Sequence, residues 1–304
     1  MRNAISIDVG GTTIKTGIVS EDGSVLHPGQ VPTPTNPDAL ITRCAQIIND
    51  YDRLISEGVV EGPNGPIHPS EVIKTVGFDV PGIVDESRGL AVFSANLGWK
   101  NFPAQEALSD TAGRPVAFGH DVRTGALAES VWGVSLDNFY YIAIGTGIAT
   151  VLVLNGEPVV ASDWAGELGQ VPVPGWDGKP IALEQVASAA GISRRAASLG
   201  LVDENDGAAE VFELVDSGST QAGEIVDRAI GLLAEKVAPV IASVGSIPIV
   251  IGGGLANRGE DLFERLATKL DSALGIVPGP DVIGAKLGSN SQLKGAGLRA
   301  LRAE

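Results

Sequence analysis

The sequence predicts an α/β fold with mixed sheets in two related lobes, and three observations predict it. Strand-like and helix-like stretches alternate along the chain. A strand, glycine turn, strand pattern occurs twice, as "IDVGGTTIKTGIV" from Ile7 and "IAIGTGIATVLVL" from Ile142. The chain has 304 residues, a length at which a single hydrophobic core stops growing.

The elements are expected in this order. Strands at 4–9, 14–20 and 23–27 lead through a Pro-rich loop to a helix over 37–58, because the apolar residues switch from a period near 2 to one near 3.6. Strands at 72–78 and 88–93 follow, then a loop carrying "NLGWKNFP", a short helix and the strand "RPVAF". A helix from Val122 to Trp132 comes next, then strands at 138–144 and 148–155, several helices between 181 and 245, and the strand "IPIVI". A helix at 260–274, a strand near 282 and a helix from 292 complete the chain. Residues 237–256 carry no charge over a membrane-spanning length, but Pro239, Gly245, Pro248 and three consecutive glycines divide them into a helix end, a turn, a short strand and a loop.

Composition excludes several partner classes. With 21 Lys+Arg against 37 Asp+Glu the net charge is −16 and the pI about 4.6, so the surface repels nucleic acid and anionic lipid. The single cysteine, Cys44, builds neither a disulfide framework nor a cysteine metal site, which predicts a reducing, cytoplasmic setting. The N-terminus enters strand pattern without a basic segment and apolar h-region, so no secretion signal is expected. "DENDG" at 203–207 lacks the spacing and closing Glu of a calcium loop and reads as solvated.

The two glycine turns fit the better-known phosphate motifs poorly. A P-loop needs glycine before its lysine and a helix after it; here Ile14 precedes Lys15 and "TGIVS" continues as strand. The dinucleotide fingerprint fails in "GTGIAT", where Thr150 stands at the third glycine. A hairpin cradle remains: Gly10 and Gly11 let backbone N–H groups approach a phosphate, Thr12 and Thr13 add hydroxyls, Lys15 adds charge, and Asp8 could hold water around Mg²⁺. The same residues also suit a plain tight hairpin with Asp8 as a turn residue. Asp121, between a strand and a helix, suits either a general base or a helix N-cap.

Taken together, these segments resemble the repressor, open-reading-frame and kinase (ROK) family of sugar kinases. The likeness rests on "DVGGTTIK", "VPGIV", "NLGW", "HDVRTGALAE", "IGTGIATVLVLNG", "AGELGQVPV", "LEQVAS" and "IGGGLA", in the family's order over nearly the whole chain. The resemblance implies two actin-like lobes of the actin, hexokinase and Hsp70 superfamily with a cleft between them. It places lobe one at 1–119, with the last helix (289–304) packing back on it, and lobe two at 120–288. It implies transfer of the γ-phosphoryl group of ATP, with Mg²⁺, to the primary hydroxyl of a hexose, with glucose as the default sugar. By the same resemblance Asp121 is the catalytic base. Phosphate and nucleotide binding fall to Asp8, Gly10, Gly11, Thr12, Thr13, Lys15, Gly145, Thr146, Gly147, Gly252, Gly253 and Gly254, and sugar binding to Gly82, Asn96, His120, Asp121, Glu167, Gln170 and Glu184.

Three positions depart from the family pattern. His120 stands where most members have Asn, Gln170 where they have a His, and "PGWDGKPIALE" replaces the cysteine-rich zinc loop, so no structural zinc is expected. These changes leave N-acetylglucosamine, N-acetylmannosamine, mannose or fructose open as substrates; inorganic polyphosphate stays open as donor, although a polyphosphate user is expected to show a basic track that this acidic chain does not advertise. They also leave open a non-catalytic sugar sensor. The family's DNA-binding repressors carry a helix-turn-helix ahead of the first phosphate motif, whereas seven residues precede Asp8 here. A homodimer is expected from the family alone.

Overall fold

The computed structural model describes residues 1–94 and 97–304. The chain divides into two compact units, Met1–Ser135 with Pro158–Ala165 and Asn290–Glu304, and Leu136–Glu157 with Gly166–Ser289.

The first unit runs β1 (Asn3–Val9), β2 (Thr13–Ser20), β3 (Val25–Pro32), α1 (Pro37–Ser56), the two-residue strands β4 (Glu61–Gly62) and β5 (Gly65–Pro66), and β6 (Val76–Val80). It continues through β7 (Ile83–Asp85), β8 (Leu90–Ser94), β9 (Trp99–Phe102), α2 (Ala104–Ala112), β10 (Val116–His120) and α3 (Asp121–Trp132). Its main sheet has the order β10-β6-β1-β2-β3. Every residue of β1 and β6 is buried, polar Ser6, Asp8 and Asp79 included, because helices cover both faces.

On one face α1 presents Leu40, Ile41, Cys44, Ile48, Tyr51 and Ile55, one stripe at helical spacing. Its start is set by Asn36, whose side chain accepts from Ala39 N at 3.1 Å, and by Pro37 in the first turn. On the other face lie α3 and the last helix, α9 (Ser291–Ala303). Small residues allow α9 to approach the sheet and α3: a Cβ on Gly77 of β6 would lie 2.1 Å from the Ala296 carbonyl oxygen, and one on Gly295 2.2 Å from that of Thr124 on α3.

The second unit repeats the pattern. It holds β11 (Phe139–Ile144), β12 (Ile148–Leu154), β13 (Glu157–Pro158), the hairpin β14 (Pro172–Pro174) and β15 (Pro180–Ala182), and the helices α4 (Glu184–Ala187), α5 (Ala189–Ser198), α6 (Ala208–Asp216) and α7 (Thr220–Val244). The strand β16 (Ile249–Gly252), α8 (Glu260–Leu274) and β17 (Val282–Gly284) follow. Its sheet order, β13-β12-β11-β16-β17, matches that of the first unit strand for strand. In both, the first strand pairs antiparallel with its hairpin partner and parallel with the strand on its other side. The repeated glycine turn in the sequence therefore marks a repeated sheet.

Several elements differ from expectation. The helix from Asp121, expected to open the second lobe, belongs to the first unit, where it packs on α9. The third strand extends to Pro32 despite Pro28, since β3 is an edge strand that pairs on one side only. Part of the expected loop "NLGWKNFP" is the strand β9, anchored by the fully buried Trp99 stacked on Phe102. The expected strand at 72–78 pairs over Val76–Val80, with Val72 in an isolated bridge to Asn3. Pro239 does not end α7, which continues to Val244, and among the described residues no helix is long and apolar enough to cross a membrane.

Candidate active site

The first unit gathers its candidate residues at the C-terminal ends of three neighbouring parallel strands, the edge at which open α/β sheets place ligands. Asp8 of β1 pairs in register with Asp79 of β6, and Asp79 with Gly119 of β10, so that His120 and Asp121 follow directly. The turn after Asp8 is closed by Gly10 N donating to Thr13 O at 2.9 Å and by Thr33 N and Oγ1 donating to Thr12 O and Gly10 O. A Cβ on Gly10 would meet Thr13 O at 2.8 Å, so a side chain there would disturb the turn. Gly11 and Thr12 are exposed, and Lys15 stands opposite Asp8 across the hairpin. Gly82 has φ +108°, a region open to glycine, and a Cβ there would meet Phe93 O at 2.4 Å. Asn96 lies outside the described residues.

His120, rather than Asp121, is the N-cap of α3. Its Nδ1 accepts from Val122 N at 3.2 Å and more weakly from Arg123 N at 3.4 Å, and the ring is also hydrogen-bonded to the Gly82 backbone. Burial, with help from the Arg123 guanidinium, holds its pKa down to about 3, against the hydrogen bond to Gly82. The ring is therefore neutral, and its 3.3 Å approach to the Asp121 carboxylate is not an ion pair. Asp121 is the first helical residue, its Oδ1 accepting from Val122 N at 2.8 Å, with a side chain 20% exposed.

Sequence reasoning missed three residues that build this edge: Asp79, Glu86 and Arg123. Asp79 is fully buried, one carboxylate oxygen bonded to the Thr124 hydroxyl and the other without a partner. Burial raises its pKa well above the carboxylate range, and the Asp8 and Asp121 carboxylates add to that against the Thr124 and Arg299 contributions. Glu86 accepts from His120 N at 3.2 Å and pairs with Arg299 of α9 at 2.8 Å. Arg123, 3% exposed, donates into three backbone carbonyls. A signal existed for one of them, an acid between the apolar residues of the strand "VGFDV". Burial likewise lifts Asp8 to about 6, against the opposing pull of Lys15.

The second unit brings its own candidates together. Gly145 N donates to Gly147 O at 3.0 Å within the turn between β11 and β12, and Ala189 N at the start of α5 donates to Gly145 O at 3.0 Å. Gly252 closes β16 beside Ala143, and Gly253, at φ +78°, would place a Cβ 2.5 Å from Ile144 O, so the glycine triplet lies against the same turn. Glu184 links this turn to the Gln170 segment: it accepts from Ile148 N at 3.2 Å and from Gln170 Nε2 at 2.8 Å. A Cβ on Gly147 would lie 2.6 Å from Glu184 Oε2. Glu167 stands at the N-cap position of a short 3-10 helix over Leu168–Gln170, without a capping bond from its side chain. In "PGWDGKPIALE", Trp176 is stacked by Arg195 at 4.6 Å and Arg228 at 5.0 Å, and Arg228 also donates to the Pro174 and Gly175 carbonyls.

The buried neutral His120 predicts an acid response. Its folded pKa, about 3, lies below its ordinary 6.5, so between those values the unfolded chain binds a proton that the native chain does not. His120 therefore costs no stability above pH 6.5 and destabilises as pH falls below it. Asp8, raised to about 6 from 3.8, has the opposite slope between those values, but it is common to wild type and variant and cancels in the difference. His120→Asn keeps a favoured N-cap. Chemical unfolding should show the variant gaining about 2 kcal/mol on wild type between about pH 7 and pH 4.5.

The sequence profile of the ROK family matches residues 4–302. A glucokinase of Thermotoga maritima is 31% identical over 88% of this chain and 86% of its own, and one of Halalkalibacterium halodurans is 29% identical over 96% and 93%. An N-acetyl-D-glucosamine kinase of Haemophilus influenzae is 27% identical over 95% and 96%. Among solved structures, a ROK hexokinase of Thermus thermophilus superposes with a TM-score of 0.80 at 25% identity, covering 99% of this chain and 98% of its own. A ROK glucokinase of Streptomyces griseus, in complex with glucose and AMPPNP, gives 0.78 at 24%, covering 99% of both chains. With two copies of one sheet, a glycine turn at the edge of each, and a match over almost all of its length, this chain belongs to the ROK family and has its actin-like α/β fold.

Proposed function

We propose that this protein is a cytoplasmic, ATP- and Mg²⁺-dependent hexose kinase that phosphorylates the primary hydroxyl of its sugar, with glucose as the first candidate. The observation that carries this reading is the placement of Asp121 at the start of α3, on the same sheet edge as Asp8 and the Gly10–Thr13 turn. The curated relatives named as glucokinases support the sugar class. The N-acetylglucosamine kinase among them supports the main alternative.

The residues present fit a nucleotide. Both turns offer backbone where a side chain would collide, at Gly10 and at Gly147. Gly10 to Thr13 and Gly145 to Gly147 would hold the phosphates, Gly252 to Gly254 the adenosine, and Asp8 a hydrated Mg²⁺. The metal supplies charge neutralisation on the phosphate oxygens. Asp121 accepts the proton of the sugar hydroxyl as the new O–P bond forms and the bond to the ADP oxygen breaks. Gly82, His120, Glu167, Gln170 and Glu184 would shape the sugar site; of these His120 acts by holding Gly82 and the start of α3 in place.

The test is ADP release from Mg-ATP against glucose, mannose, fructose, glucosamine, N-acetylglucosamine and N-acetylmannosamine. Turnover of one sugar fixes class and substrate. Silence across the panel with sugar binding still visible by calorimetry identifies a sensor, and turnover with polyphosphate in place of ATP changes the donor. The homodimer is part of the same proposal and is checked by light scattering.

A further inference from the structure

We infer that Arg123 is a positioning residue for sugar binding, acting through three backbone segments that it ties to the first turn of α3. The inference rests on the proposed kinase reading for the identity of the ligand, and on geometry for the rest.

Arg123 stands two residues beyond Asp121 and is 3% exposed. Its Nη2 donates to Asp163 O at 2.7 Å and to Ala165 O at 3.1 Å, and its Nη1 donates to Val84 O at 3.2 Å. Glu86 Oε1 lies 3.7 Å from Nη1 and accepts from His120 N, while Glu86 Oε2 pairs with Arg299. One planar guanidinium thus fixes the strand that follows Gly82, the segment 163–165 and the helix that starts at Asp121.

Two features make this more than a stability contact. The segment Pro158–Ala165 belongs to the first unit although the chain on either side of it belongs to the second, and within it Val159, Val160 and Trp164 are 43%, 42% and 60% exposed. Apolar residues so exposed contribute little burial to hold the segment in place. Ala165 is joined through Gly166, at φ +100°, to Glu167, one of the proposed sugar residues. The guanidinium spreads its donors over separate nitrogens in one plane and so reaches carbonyls on both sides at once; a lysine ammonium keeps the charge but carries its three N–H groups on one atom.

The test compares wild type with Arg123→Lys, and with Arg123→Met as a harsher variant that is used only if it folds. Affinity for the sugar that wild type binds best is measured by calorimetry without nucleotide, KM for ATP by turnover, and amide hydrogen exchange is followed over 158–165. Arg123→Lys should weaken sugar binding by about tenfold or more, leave KM for ATP within about twofold, and speed exchange over 158–165. Unchanged sugar affinity, or an equal loss for ATP and sugar, would overturn the positioning role. If wild type binds no sugar of the panel, the kinase reading fails on its own. The exchange arm then decides for Arg123: faster exchange in the lysine variant supports the tie, and unchanged exchange removes it.

Discussion

Asp121→Asn is expected to lower turnover by about 10²- to 10⁴-fold while sugar and ATP affinities stay within about threefold of wild type. The substitution is close to isosteric, and an asparagine oxygen can accept the Val122 N–H that Asp121 Oδ1 accepts at 2.8 Å. The N-cap is His120, so the start of α3 does not depend on the carboxylate. What the amide cannot do is take a proton from a hydroxyl. The side chain sits in the first turn of a 12-residue helix and is partly exposed, within reach of a ligand. Steady-state ADP release with calorimetry on the same preparation separates chemistry from binding. Unchanged turnover would remove Asp121 from the mechanism; loss of binding together with turnover would make it a ligand rather than a base.

Gly77→Ala should destabilise the first unit by about 3 kcal/mol or more. The added Cβ would lie 2.1 Å from Ala296 O, 2.4 Å from Ala296 C and 2.9 Å from Gly297 N. All three are backbone atoms, so no side chain can swing aside, and α9 has to retreat from β6. That retreat strains the Ser6 hydroxyl's 2.6 Å bond to Leu293 O and moves Arg299 away from Glu86. The control is Gly231→Ala in the middle of α7, where a Cβ meets nothing within 4 Å and the gain in helix propensity is up to about 1 kcal/mol. Denaturant unfolding of the two variants should move in opposite directions. A Gly77→Ala protein as stable as wild type would mean that α9 is not seated against the sheet in solution.

Much of this molecule was legible in its sequence. The glycine turns at 10–13 and 145–147 were visible because a strand ending in glycine and threonine leaves few other conformations, and the order of motifs was enough to reach the family. Periodicity placed the long helices α1 and α8, whose apolar stripes are regular. Asp8 and Asp121 were visible for the same local reason: a lone acid at a strand end is either a cap or a functional group.

Other features depend on residues far apart in the chain. The Asp8–Asp79–Gly119 register joins three strands, and no local pattern encodes which strand lies beside which. The sequence offered Asp121 as the cap, since Asp is a favoured N-cap type, and the structure puts His120 there instead. Packing settled it by burying the imidazole, which keeps it neutral and able to accept. The role of Arg123 is set by segments about 40 residues away on either side. The sequence by itself determined the element types, the paired turns and the family, because these rest on local backbone preference and on the order of short motifs. Only the tertiary structure decided which buried charges meet at the sheet edge and what state they hold, because burial and partner geometry, which fix pKa and hydrogen bonding, arise when distant segments pack.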